Sequence, residues 1–122
     1  MLLQIASALI FVLGAAHSYL GERYLLSRLL RRDNLPKLLG GTAFTKQTLR
    51  FAWHVTTVAW WGLAVLLAQA ADGQLTAIDV ARTIGWTAIL SALLPLAFTR
   101  GRHLSWIVML VIGALALGWR AP

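Results

Sequence analysis

Three histidines and one glutamate are the side chains of this chain with the widest scope for chemistry. His17, His54 and His103 fall in three different apolar segments, and Glu22 is the acidic residue closest in sequence to a histidine. Imidazole titrates near neutral pH, passes protons and binds metals through its ring nitrogens. Arg50 and Thr57 lie at helical spacing from His54 and share its face. We therefore predict a candidate proton, ion or ligand site from six residues: His17, His54, His103, Glu22, Arg50 and Thr57.

The residue types at this site leave three interpretations open. In the first the residues are structural, and they bond between helices or to lipid headgroups. In the second His17, His54 and His103 ligate haem or a transition metal, because facing helices of a bundle build such sites. In the third His17 and His54 pass protons or ions, with Glu22 at the mouth of the path. We predict no cofactor, and haem or a transition metal is the alternative.

The sequence argues against an enzyme. It has no Ser/His/Asp set, no paired carboxylates and no glycine-rich phosphate loop. It also has no cysteine, which excludes disulfides, Cys-ligated zinc and iron–sulfur clusters within the chain.

Four apolar segments must position these residues. The chain is 59% hydrophobic and only 12% charged, a composition unlike that of a soluble domain. A helix needs about 20 apolar residues to cross the hydrocarbon core of a bilayer. Residues 1–20, 51–71, 77–98 and 103–119 meet or approach that length, and a loop at 21–50 separates the first two. We predict an all-α membrane protein, a four-transmembrane-helix antiparallel bundle that forms one integral membrane domain over residues 1–122.

The basic residues predict the orientation of this bundle. Nine of the eleven lysines and arginines lie in segments 21–50 and 99–102. Cytoplasmic loops carry such an excess. We predict a multi-pass protein of a bacterial inner membrane, with cytoplasmic basic loops and both termini in the periplasm. The net charge of +7 flanks apolar segments instead of forming a soluble basic face, so a nucleic-acid partner is excluded.

The pattern of residues 23–32 predicts a basic amphipathic helix that continues the first span at the membrane surface. Leucines occupy one face, and arginines face the other way. Anionic lipid headgroups are the predicted partners of four arginines: Arg23, Arg28, Arg31 and Arg32.

Small and hydroxyl residues recur at helical spacing along each span. Such stripes allow close helix contacts in membranes, so we predict that they face the bundle interior. The stripes comprise Gly14, His17, Ser18 and Gly21 in the first span, Arg50, His54, Thr57, Trp61 and Ala64 in the second, Thr83, Thr87 and Ser91 in the third, and His103, Trp106, Leu110 and Gly113 in the fourth.

Local signals at the helix ends predict further contacts. Thr45 is the expected N-cap of the second span, and Thr76 with Asp79 resembles a capping box. Asp79 and Arg82 stand three residues apart and are expected to pair.

From these observations we expect a transport or accessory subunit with a His- and hydroxyl-lined helix interior that opens to the cytoplasm. It would work as a homo-oligomer or within a larger membrane complex, because one small bundle leaves little room for a pathway. A purely structural membrane subunit is the other expectation.

Overall fold

The computed structural model describes residues 1–73 and 75–120, and within these ranges the chain forms helices and connecting turns without a β-strand. Its elements, in chain order, are α1 (Leu2–Leu20), a π-helical turn (Gly21–Leu26), the three-residue α2 (Ser27–Leu29), α3 (Ala43–Ala71), α4 (Ala77–Thr99) and α5 (Ser105–Gly118).

Three of the helices are long and apolar enough to cross a membrane. These are the continuous stretch Leu2–Leu29, then α3 and α4. The fourth apolar helix, α5, has only 14 residues. At about 1.5 Å per residue it is roughly 21 Å long, whereas the hydrocarbon core is about 30 Å thick. The predicted fourth span at 103–119 is therefore a shorter helix.

The start of α3 differs from the sequence-based prediction. The helix begins at Ala43, eight residues before the predicted span, and its N-cap is Thr42. Thr45 lies inside the first turn, where its hydroxyl donates to the Pro36 carbonyl over 2.8 Å. The prediction of Thr45 as N-cap was wrong because that hydroxyl binds the preceding loop to α3 instead of capping the helix.

The first helix continues past Gly21, as predicted, but in a π-helical form. The Ser27 amide donates to the Glu22 carbonyl five residues back, which widens this turn. Regular helix ends at Leu29, so Arg31 and Arg32 lie in the turn that follows and not on an amphipathic helix. The side chains of all four arginines predicted to meet lipid headgroups are exposed.

The long helices pack in chain order. Within the described part of the chain, α1 contacts α3, α3 contacts α4 and α4 contacts α5, while α1 has no close backbone contact with α4 or α5. The arrangement is consistent with a helical bundle and resembles a row with α1 and α5 at its ends.

Small residues make the helix contacts close. Gly62 on α3 faces the side chain of Thr87 on α4. Gly85 on α4 and Gly113 on α5 each approach the carbonyl oxygen of the other. The burial of seven residues from the predicted stripes confirms that these face neighbouring helices: Gly14, Gly21, Thr57, Ala64, Thr83, Ser91 and Gly113.

The predicted capping box at the start of α4 is confirmed. The Asp79 amide donates to Thr76 Oγ1 over 3.2 Å, and the Thr76 amide donates to Asp79 Oδ2 over 3.1 Å. The Thr76 hydroxyl donates to the same carboxylate oxygen. The predicted Asp79–Arg82 pair makes no salt bridge among the described residues, and the carboxylate instead accepts from Thr76.

Removal of the Thr76 hydroxyl is expected to destabilise the start of α4. A Thr76→Ala variant loses the side-chain acceptor for the Asp79 amide, which costs about 1 kcal/mol in capped helices. Thermal unfolding in mild detergent measures the loss, and Thr76→Ser, which keeps the hydroxyl, is the control. Equal melting temperatures for the alanine and serine variants would contradict the prediction.

Candidate functional site

A chain of polar side chains connects the π-helical turn with α3. Glu22 Oε1 lies 2.9 Å from Arg50 Nη2, and Glu22 Oε2 lies 3.3 Å from His54 Nε2. The Glu22 and Arg50 side chains are 40% and 37% exposed, and that of His54 is 20% exposed. The carboxylate therefore stands near the surface and bridges an arginine to a more buried imidazole.

The chain continues inward from the second nitrogen of His54. His54 Nδ1 lies 2.8 Å from Ser18 Oγ, which lies 2.8 Å from Thr57 Oγ1. The Thr57 hydroxyl in turn lies 3.3 Å from the Gly14 carbonyl oxygen, to which it can donate. Thr57 is buried, so the sequence of contacts leads from an exposed carboxylate to an enclosed hydroxyl. We call Arg50, Glu22, His54, Ser18 and Thr57 the polar chain.

Two hydrogen-bond patterns satisfy these atoms. With a protonated imidazole, Nε2 donates to Glu22 and Nδ1 donates to Ser18, which donates to Thr57, which donates to the Gly14 carbonyl. With a neutral imidazole protonated on Nε2, Nδ1 accepts from Ser18, and Ser18 accepts from Thr57. The two patterns differ in the direction of the hydrogen bonds that the Ser18 and Thr57 hydroxyls make, and the distances fit both.

Tight packing around Gly21 fixes the position of α1 and its π-helical turn against α3. The Trp53 indole lies directly over the Gly21 backbone, and a Cβ at residue 21 would overlap that ring. Trp53 Nε1 donates to the His17 carbonyl oxygen over 3.0 Å. The missing side chain at Gly21 therefore lets α1 approach α3 closely enough for Glu22 to meet Arg50 and His54.

His17 lies apart from the polar chain. Its ring stacks on Trp53 at 4.2 Å with an interplanar angle of 3°, and it meets Trp60 at 4.9 Å in a tilted arrangement. Its Nε2 is buried and has no hydrogen-bond partner among the described residues. The structure thus places His17 in an aromatic setting, whereas the neighbouring Ser18 joins the polar chain.

His103 also has its own surroundings. Its Nδ1 lies 2.8 Å from Ser105 Oγ, and its amide donates to Thr99 Oγ1 over 3.0 Å. Phe44 and Phe51 of α3 pack on its ring. His103 therefore joins the α4–α5 connection to the beginning of α3.

The three histidines have separate neighbours. Among the described residues, no group of three or more His, Cys, Asp or Glu side chains stands where it could hold a metal ion. His54 with Glu22 is the histidine–carboxylate pairing that the structure brings together. Of the six predicted site residues, four are joined in one place: Glu22, Arg50, His54 and Thr57.

Sequence reasoning left Ser18 out of the site. Its hydroxyl is the link between His54 and Thr57. The available signal was its place in the small-residue stripe with Gly14 and Gly21, which we interpreted as a packing surface. A hydroxyl within such a stripe serves both purposes, because it permits close approach and still bonds across the interface.

Two cavities adjoin these helices. One, an open groove of about 530 Å³, is lined by Ser18, Glu22 and Arg23 among others and borders the polar chain. A larger one, of about 690 Å³, lies between α3 and α4 and reaches Gln69 and Asp79, near the α3–α4 connection. This second cavity lies toward the C-terminal end of α3, away from the basic segment 21–50, and the sequence predicted no site there.

No protein-family model, curated protein or solved structure matches this chain.

Proposed function

We propose that this chain is a small polytopic membrane protein whose helices cross the bilayer in antiparallel order. The contacts between α1 and α3 support that order, because Ser7 bonds to Ala64 whereas Ser18 bonds to His54. The concentration of lysine and arginine in segments 21–50 and 99–102 supports their placement on the cytoplasmic side of a bacterial inner membrane. The exposed apolar surface of α1 suits contact with lipid.

The function we propose is that of a transport or accessory subunit in which the polar chain takes up protons and passes them inward. The observation that carries this proposal is His54, which bonds through one ring nitrogen to a carboxylate and through the other to a hydroxyl. An imidazole in that position accepts a proton on one side and releases one on the other. Ionisable residues within membrane helices commonly mark such paths.

The inner end of the polar chain limits how far a proton could travel within a single copy of the protein. Beyond Thr57 and Gly14, the α1–α3 interface is occupied by the stacked rings of Phe11 and Trp61, 5.0 Å apart. A proton that reaches Thr57 therefore needs further polar groups to continue. A second copy of the chain or a larger membrane partner would supply them, which favours an oligomer or a complex.

The test is proton flux into liposomes that contain the purified protein and a trapped pH dye. A His54→Gln variant keeps an amide for hydrogen bonding but cannot exchange protons at neutral pH. We expect its flux to fall by roughly a hundredfold, since positioned acid–base groups speed proton transfer by about 10²–10⁴. His103→Gln, which changes a histidine outside the polar chain, is the control. Equal flux in the native protein and the His54 variant would contradict the proposal.

A purely structural subunit is the second candidate, favoured by the fact that the same hydrogen bonds join α1 to α3. Under that function His54→Gln lowers the melting temperature while liposomes containing the native protein show no flux above empty ones. Stoichiometric co-purification with a membrane partner would then identify the assembly that the subunit stabilises.

A further inference from the structure

A basic cleft lies beside the polar chain, at the place where α2, the start of α3 and the end of α4 meet. It has a volume of about 340 Å³, within the range of about 300–1,000 Å³ that is usual for small-molecule sites. Its polar lining comes from Ser27, Arg31, Lys46, Gln47 and Arg50. Leu30 and Phe98 provide apolar walls.

The charge of the cleft selects the kind of ligand. Three of its seven lining residues, Arg31, Lys46 and Arg50, are cationic, and the seven include no carboxylate. Lys46 and Arg50 stand one helical turn apart on α3, so both face the same side. Glu22 contacts Arg50 but is not among the lining residues. Positive charge is therefore concentrated in a concave site with limited compensation.

We propose that this cleft binds a phosphate ester. The guanidinium groups of Arg31 and Arg50 match phosphate oxygens with paired donors, and Lys46 adds a compact positive charge. The Gln47 amide offers a further donor. Ser27 does not, because its hydroxyl already donates to the Arg23 carbonyl over 2.7 Å.

The apolar walls explain why an ester fits better than free inorganic phosphate. Leu30 and Phe98 would contact the carbon skeleton attached to the phosphate, which free phosphate lacks. Phe98 also stacks on the His54 ring at 6.1 Å. The phosphate ester comes either from an anionic lipid headgroup or from a soluble metabolite, and the two share the chemistry that the cleft recognises.

Arg50 belongs both to the cleft and to the polar chain. Its Nη2 lies 2.9 Å from Glu22, so the carboxylate and a bound phosphate compete for one guanidinium. A Glu22→Gln variant removes the competing charge and is expected to bind phosphate more tightly. This binding does not depend on proton passage, so failure of the flux experiment leaves it standing.

Two matched pairs of variants test the cleft in the full-length protein. Lys46→Gln and Arg31→Gln each remove one charge from it, and each is expected to weaken binding about fivefold, the effect of roughly 1 kcal/mol per basic residue. The matched controls are Lys37→Gln and Arg32→Gln. Each removes one lysine or arginine charge at an exposed position that does not line the cleft. Native mass spectrometry measures retention of phosphatidylglycerol against phosphatidylcholine with the same acyl chains, and calorimetry measures glycerol 3-phosphate.

The outcomes separate the sources of the phosphate. Preferential loss of phosphatidylglycerol in the two cleft variants, without glycerol 3-phosphate binding, supports a lipid headgroup. Weaker glycerol 3-phosphate binding in those variants supports a soluble ester. Equal effects in the cleft variants and their controls, or no binding of either probe to the native protein, overturn the proposal.

Discussion

Replacement of Gly21 by alanine is expected to separate α1 from α3 and to destabilise the protein by about 2–4 kcal/mol. The new Cβ would overlap the Trp53 indole, with Trp53 Cζ2 only 2.6 Å away. Trp53 must then move, and it loses its bond to the His17 carbonyl and its stacking on the His17 ring. Forced repacking costs about 1–3 kcal/mol, and a lost hydrogen bond adds about 1 kcal/mol.

Thermal unfolding in mild detergent and intrinsic tryptophan fluorescence measure the effect of Gly21→Ala. The control is Gly41→Ala, because a Cβ at Gly41 meets no atom within 4 Å and its backbone is compatible with alanine. The control is expected to change the melting temperature little. A Gly21→Ala protein with the stability of the Gly41→Ala protein would contradict the close packing of α1 on α3. Loss of proton flux in Gly21→Ala alone would further connect that packing to the polar chain.

The second large effect is expected at Gly113, where α5 meets α4. A Cβ there would stand 2.9 Å from the Gly85 carbonyl oxygen and 2.5 Å from Ile89 Cγ1. The Ile89 side chain can turn aside, but the backbone carbonyl can move only if the helices separate. We therefore expect Gly113→Ala to push the short helix α5 away from α4, at a cost of about 1–3 kcal/mol.

Hydrogen–deuterium exchange of α5 amides detects this separation directly. Faster exchange is expected along α5 in Gly113→Ala, while α1 and the polar chain keep their native protection. Gly118→Ala at the end of the same helix is the control, since a Cβ there meets open space. Unchanged exchange in Gly113→Ala would show that the α4–α5 contact tolerates a side chain.

The sequence predicts most helices of this fold well, because the length of an apolar segment and the spacing of its small and hydroxyl residues can be read from that segment alone. α1 and α4 lie within about two residues of their predicted ends. The start of α3 was predicted less well: the apolar segment begins at Phe51 and the expected N-cap Thr45 would start the helix at residue 46, whereas the helix begins at Ala43. Residues 43–50 are polar or mixed, and they are helical in a structure where Thr45 bonds to Pro36 and Phe44 packs on His103. The Phe44 contact involves a distant part of the chain, and the Thr45 contact depends on the conformation of the loop before α3.

Four members of the polar chain were predictable from the sequence, but its fifth member and its geometry were not. Residue type and depth along the helices identified these four: Glu22, Arg50, His54 and Thr57. The choice between His17 and Ser18 depends on the rotation of α1 about its axis, which the Gly21–Trp53 contact and the π-helical turn determine. A π-helical turn has no clear sequence signature, so the exclusion of His17 from the polar chain could be found only in the structure.

The packing of the helices in chain order has a consequence for biosynthesis. Each long helix contacts only the long helices that precede or follow it in sequence, within the described residues. Each long helix after α1 therefore packs on the long helix synthesised just before it. The fold can thus be completed progressively during synthesis, with α5 added last against an α4 that α3 already supports.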